Sequence, residues 1–309
     1  MEIISNTQHK KSNKYNLNFS MNKIPDSELI LNPDGSVFHL HLLPHQISDS
    51  IILVGDPSRV DMVSNNFDRI DYKVQNREFA THTGIFNHKK VTVLSTGIGT
   101  DNIDIVVNEL DALVNIDLEQ RLVKKEHTKL KLIRIGTSGA LQEDIDVDSF
   151  VLSQYGLGMD GLLHFYKHEF KEEAALLYAF IEQTGLAAPL NSPYLVKGST
   201  QLFDLFKEGM HTGITATACG FYGPQGRRLR LDMAIDGLNE KLTAFNHNNM
   251  KVTNFEMETS ALYGLSKLLG HEAITACAII ANRIKKEYSK DYKATVDKLV
   301  KIILKRLTD

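Results

Sequence analysis

Short apolar runs alternate along the chain with longer segments of helical periodicity. The runs fall at residues 50–54, 91–95, 130–135, 150–153, 213–218 and 274–281. They are apolar throughout rather than every second residue, as expected of strands covered on both faces. Helical spacing predicts helices over 103–113, 172–184 and 259–269, the last stopping at Gly270, a natural C-terminal signal. A final helix would carry Val296, Leu299, Val300, Ile303 and Leu307 on one face. The alternation predicts an α/β fold, a single domain over residues 25–309 with a central mixed, mostly parallel twisted sheet flanked by helices. No linker or internal repeat divides that span. Residues 1–24 differ: four lysines, one glutamate and many Asn and Ser predict a flexible tail, or a basic partner-binding arm. Met21 is an alternative start.

Composition narrows the function classes. The 309 residues carry 35 basic and 38 acidic side chains, a net charge of −3, which tells against wholesale binding to nucleic acid or an anionic membrane. No apolar run approaches the roughly 20 residues of a membrane helix. The N-terminus is polar and does not read as a secretory signal. Two cysteines, Cys219 and Cys277, are too few for a disulfide framework; both lie in or beside strand runs and read as core. A reduced, cytoplasmic setting is the expectation.

Ligands of such sheets sit beyond the carboxyl ends of the strands, so the residues there are the candidates. Gly55-Asp56-Pro57-Ser58-Arg59 follows the first run, either an anion site at a helix start or an ordinary turn. Arg134 lies inside an apolar run and must face an acid or an anionic ligand. Thr137 and Ser138, between Gly136 and Gly139, could form a phosphate nest. Asn254-Phe255-Glu256-Met257-Glu258-Thr259 offers two carboxylates, either for vicinal hydroxyls or as helix N-terminal acids. Phe221-Tyr222-Gly223-Pro224-Gln225-Gly226-Arg227 offers a stacking ring, a guanidinium and an amide able to read a pyrimidine edge, or else an ordinary loop. Asn282-Arg283 follows the last run. A G-x-G-x-x-G at Gly156, Gly158 and Gly161 opens no long helix and lies outside a first βαβ unit, which disfavours a dinucleotide-binding oxidoreductase. Metal-binding and nucleoside-triphosphate motifs are missing, and the twelve scattered histidines form no recognisable triad.

Together these segments resemble the uridine branch of the nucleoside phosphorylase family, which also holds purine enzymes and nucleosidases. VFHL (37–40), GDPSRV (55–60), REF (77–79), STGIGT (95–100), IRIGTSGAL (133–141), DGLLHF (160–165), GITATACGFYGPQGR (213–227), NFEMET (254–259) and IIANR (279–283) come in the family's order. The resemblance implies phosphorolysis of uridine to uracil and ribose 1-phosphate, reversibly, with inorganic phosphate as co-substrate and no cofactor or metal. It implies a phosphate site of Gly55, Arg59, Arg134 and Thr137, with Arg77 from a neighbouring subunit. Ribose would meet Met257, Glu258 and Glu256, with His39 crossing a dimer interface toward the 5′-hydroxyl. The base would meet Phe221, Gln225, Arg227, Ile280 and Ala281. Arg134, Glu258, Arg227 and Gln225 would carry catalysis, in a homodimer or a hexamer built from dimers. Purine members carry an aspartate after the last strand; here Ala281-Asn282-Arg283 has no acid, which favours a pyrimidine. The alternatives are a purine phosphorylase or nucleosidase, or a non-catalytic nucleoside-binding protein. Thr100-Asp101-Asn102 stands where Gly-Pro-Ser is more typical, a departure that tells against the monovalent cation of some relatives. Gly223-Pro224 reverses the usual order, and 117–128 reads as an insertion.

Overall fold

A computed structural model describes residues 23–187 and 192–309, so residues 1–22 of the expected tail lie outside the described residues. Ile24, at its end, is already tied down, its N–H donating to the Arg121 carbonyl at 2.8 Å.

The elements run β1 (Ser50–Val54), α1 (Ser58–Ser64), β2 (Arg69–Asn76), β3 (Phe79–Phe86), β4 (Lys89–Ser95), α2 (Thr100–Asn115), β5 (Ile116–Asp117), β6 (Leu122–Val123), β7 (Lys131–Ala140) and β8 (Phe150–Gly158). Then follow α3 (Ala174–Thr184), β9 (Tyr194–Lys197), α4 (Thr200–Phe206), β10 (His211–Thr217), α5 (Leu238–Ala244), β11 (Asn246–His247), β12 (Met250–Glu256), α6 (Thr259–Leu269), β13 (Glu272–Asn282), β14 (Glu287–Tyr288) and α7 (Tyr292–Thr308). All six apolar runs fall on strands, with Leu130 and Ala218 each one residue outside. α6 has the predicted bounds and ends on Gly270 in the left-handed conformation. The segment expected to be an insertion carries a small antiparallel hairpin, β5 with β6, that begins at Ile116.

The principal sheet is mixed, in the order β11-β12-β10-β8-β13-β7-β1-β4-β3-β2. β1 lies parallel between β4 and β7, while β2 and β3 form an antiparallel edge. β2 alternates exposed and half-buried residues, the signature of an edge strand with one solvated face. β12 also returns to pair antiparallel with β7, through Asn254 opposite Ala140 and Phe255 opposite Gly139. That second pairing closes β7, β13, β8, β10 and β12 into a ring. One apolar core packs α2, α6 and α7 against the β1 side, and a second lies under α3 and α5 against β10 and β12.

Two local expectations change. Residues 136–140 extend β7 rather than forming a turn, so their backbone groups enter ladders with β13 and β12 instead of a phosphate nest. Cys219 is exposed, because β10 ends at Thr217 and leaves it on the loop beyond; Cys277, inside β13, is buried core. Gly156 and Gly158 are strand residues of β8, where a Cβ would strike Ser260 of α6 or the Tyr194 ring. They serve close packing, and no dinucleotide turn forms there.

Candidate active site

The carboxyl ends of β1, β4, β7, β10, β12 and β13 meet at a cleft of about 1000 Å³. It gathers Gly55, Arg59, Arg134, Thr137, Phe221, Gln225, Arg227, Glu256, Met257, Glu258, Ile280 and Ala281. These twelve come from segments as far apart as residues 55 and 281. His39 and Arg77 do not line it. They lie together elsewhere: the Arg77 guanidinium sits 5.7 Å from the Phe38 ring centroid, and Asn76 Nδ2 donates to the His39 carbonyl at 2.8 Å. Arg77 holds a left-handed φ of 53° at the turn between β2 and β3.

Arg134 is 4% exposed and Glu258 likewise. Arg134 Nη2 donates to Glu258 Oε2, while Arg134 Nε and Nη1 are buried donors with no partner among the described residues. Burial opposes the Arg134 charge, but the Glu258 and Glu256 carboxylates outweigh it and hold the guanidinium above its ordinary value. Gly136 makes the space: a Cβ there would lie 2.2 Å from Arg134 Nη1. Arg59 approaches Thr137, Nη2 to Oγ1 at 3.5 Å, and burial, then the Arg134 charge, lowers its pKa. Two guanidiniums thus share one end of the cleft, a potential that favours an anion. The start of α1 adds less than expected. Asp56 takes the Ser58 N–H through its carboxylate (2.8 Å) and the Arg59 N–H through its carbonyl (3.0 Å), so these amides are occupied.

Glu258 is fixed from a second side. The N–H of Gly99 donates to its Oε1 at 2.9 Å. Gly99 holds a φ of 100°, which only glycine adopts readily. The Gly97–Gly99 turn therefore orients a carboxylate. In the same turn Asn102 Nδ2 donates to the Ile98 carbonyl at 3.4 Å.

Glu256 lines the cleft, but its oxygens are already engaged. They accept from Thr217 Oγ1 (2.8 Å), the Glu258 N–H (2.9 Å) and the Thr259 N–H (3.0 Å). Burial, then the Glu258 charge, pushes its pKa up to about 7. The carboxylate caps the first amides of α6 and fixes the turn that carries Met257 and Glu258.

At the other end, Gln225 is buried inside its own loop. Its Nε2 donates to the Gly220 carbonyl (3.2 Å) and its Oε1 accepts from Arg227 Nη1 (2.6 Å). Arg227 lies 3.8 Å from the Phe221 ring centroid. Arg283 Nη2 donates to the Gln225 carbonyl at 3.2 Å. Burial, then Arg283, brings the Arg227 pKa down to about 10. A one-residue bulge in β13 at Ile280 turns Ile280 and Ala281 toward the cleft. Asn282 does not follow them. It is 1% exposed, and its amide donates to the Gln142 and Ile145 carbonyls while its oxygen accepts the Ile284 and Lys285 N–H groups.

Glu78, Asn102, Ser138, Arg283 and Tyr288 also line the cleft. Glu78 and Asn102 stand inside the REF and STGIGT neighbourhoods, so proximity to a motif could have flagged them. Tyr288 arrives only because β14 folds back on Ala281, a pairing with no local signal. Among the described residues no group of three His, Cys, Asp or Glu side chains could hold a metal ion, and no helix is long and apolar enough to cross a membrane.

The fold and the cleft define an α/β enzyme of one large family, and comparison with known proteins identifies it. Residues 49–308 match the model described as the phosphorylase superfamily, and the chain belongs to that superfamily. A uridine phosphorylase of Thermococcus kodakarensis is 28% identical over 263 residues, covering 83% of this chain and 81% of the relative. A DeoD-type purine nucleoside phosphorylase of Oceanobacillus iheyensis is 28% identical over 246 residues, covering 78% and 85%. Among solved structures, a Trypanosoma brucei nucleoside phosphorylase described as showing uridine phosphorylase activity superposes with a TM-score of 0.83 and 32% identity, covering 90% of this chain and 99% of the other.

Proposed function

We propose that the protein catalyses the reversible phosphorolysis of uridine to uracil and ribose 1-phosphate. The observation that carries this reading is the order of charges along one cleft. Arg59 and Arg134 stand at one end, Glu258 is bonded to Arg134, and Arg227 and Arg283 flank Gln225 at the other. A phosphate, a sugar with two hydroxyls and an oxygen-bearing base fit that order.

Phosphate takes the unspent N–H groups of Arg134 together with Arg59, Thr137 and the close backbone approach at Gly55. Glu258, held by Gly99 and Arg134, accepts the ribose hydroxyls beside Met257. Glu256, which accepts from Thr217 and the first amides of α6, fixes the turn that carries Met257 and Glu258. The phosphate oxygen lies under C1′, which is catalysis by positioning. As the C1′–N1 bond breaks, its electron pair passes to the base. Negative charge gathers on the pyrimidine oxygens, where Arg227, Arg283 and the Gln225 amide stabilise it. The positive charge growing on the sugar is offset by phosphate and Glu258. Phe221, Ile280 and Ala281 provide the flat apolar walls.

A purine leaving group calls for an acid to protonate its ring nitrogen. The base end carries two guanidiniums and an amide, and Asn282 spends its amide on the backbone. That favours uridine over the purine reading, although purine relatives match the chain as well. His39 and Arg77, which do not line their own cleft, complete the ribose and phosphate sites of a second copy, in a homodimer or a hexamer that is a trimer of dimers. Pyrimidine nucleoside salvage in the cytoplasm follows from this reading. Phosphorus NMR of uridine and phosphate with the protein should show ribose 1-phosphate; persistence of inorganic phosphate alone rejects the proposal.

A further inference from the structure

Glu109 stands on α2 and does not line the cleft, yet its carboxylate gathers three donors from one short stretch of chain. The His39 N–H donates to it at 2.9 Å, the Leu40 N–H at 2.8 Å, and His39 Nδ1 lies 2.6 Å from Oε1. The carboxylate is only 13% exposed, so the contact is not a loose surface pair. A carboxylate accepts, so Nδ1 carries a proton, and in the neutral imidazole that leaves the lone pair on Nε2. Nε2 has no hydrogen-bond partner among the described residues. Asn76 holds the His39 carbonyl at 2.8 Å, and the Phe38 and Phe79 rings meet the imidazole edge-on. The neutral ring is therefore held in one tautomer and one orientation, and it does not line its own cleft.

We infer that Glu109 is a positioning residue for nucleoside turnover. It sets the His39 ring so that Nε2 accepts the ribose 5′-hydroxyl bound in a second copy of the chain. The inference rests on the proposed function, which puts His39 in the partner's ribose site. An imidazole free to turn would present Nδ1–H and Nε2 interchangeably and would no longer hold the acceptor in place. Glu109 prevents this by binding the ring and the backbone on both sides of His39 with one group.

The test compares uridine with 5′-deoxyuridine, which lacks only the hydroxyl at issue. The wild type should prefer uridine by about tenfold in kcat/KM, as one hydrogen bond of ordinary strength implies. H39A should bring that preference to near one. E109A and the conservative E109Q should each lower it about threefold or more while leaving turnover of 5′-deoxyuridine within about twofold of wild type. A merely structural role would reduce both substrates alike and keep the preference, which overturns the inference. Loss of the preference in H39A but not in E109Q rejects Glu109 alone. No preference in the wild type overturns the placement of His39, and the inference with it.

Discussion

Replacing Gly136 by alanine tests the phosphate end of the cleft with a single methyl group. Gly136 lies in β7 at a φ that alanine adopts without strain, so the backbone offers no objection. Away from a conflict, Gly→Ala stabilises a protein by about 0.4–1 kcal/mol through the unfolded chain. Here the new Cβ would lie 2.2 Å from Arg134 Nη1 and 3.0 Å from Cys277 Sγ, where ordinary contact begins at 3.4 Å. The guanidinium must retreat by roughly 1.2 Å, since Cys277 closes the other side. Misplacing a reacting group by about 1 Å costs about 100-fold in rate. If the Arg134–Glu258 pair breaks outright, about 3–5 kcal/mol of stability goes with it. Steady-state kinetics in phosphate, together with a thermal melt, separate the two effects. The variant should fold, melt no higher than wild type, and lose about 100-fold in kcat/KM for phosphate. A folded G136A enzyme with wild-type phosphate kinetics would refute the assignment of Arg134 to phosphate.

Three further outcomes follow from the same geometry. Gln225→Ala should raise the uridine KM by about tenfold and leave the phosphate KM within about twofold, since the amide lies at the base end and contributes one or two hydrogen bonds; equal changes in both would show the loop misassigned. Arg134→Ala should cut kcat by about 100-fold or more and raise the phosphate KM, because one of the two guanidiniums at that end is gone; near-wild-type kinetics would exclude it. Glu256, raised to about 7, binds its proton more tightly folded than unfolded. Its contribution to stability is therefore complete below the ordinary carboxylate range and lost as pH rises through about 7. Glu256→Gln should flatten the decline in urea midpoint between pH 5 and 8, and an unchanged slope would contradict the assignment.

Much of the site was legible because the strand ends carry it. Gly55 and Arg59 follow β1, Arg134 and Thr137 lie within β7, and an arginine inside an apolar run demands a partner because an unpaired buried guanidinium is too costly to keep. α6 was legible because its apolar spacing and Gly270 are both local. The remainder depends on pairings far apart in sequence. Residues 136–140 read as a glycine-rich turn, yet they are strand because both β13 and β12 pair with them. Glu256 and Glu258 look equivalent in sequence; only the fold shows that Thr217 and the start of α6 occupy one while Gly99 and Arg134 hold the other. Asn282 and Arg283 are neighbours, and the bulge at Ile280 decides which of them reaches the cleft. The exposure of Cys219 turns on where β10 stops, an end set by its partners rather than by its own residues.

The most direct test of the central claim follows absorbance during cleavage of uridine, thymidine and inosine, each with and without phosphate. Loss of uridine in excess of inosine, and only when phosphate is present, is the predicted result. Inosine as the preferred substrate, or cleavage of uridine without phosphate, would contradict it.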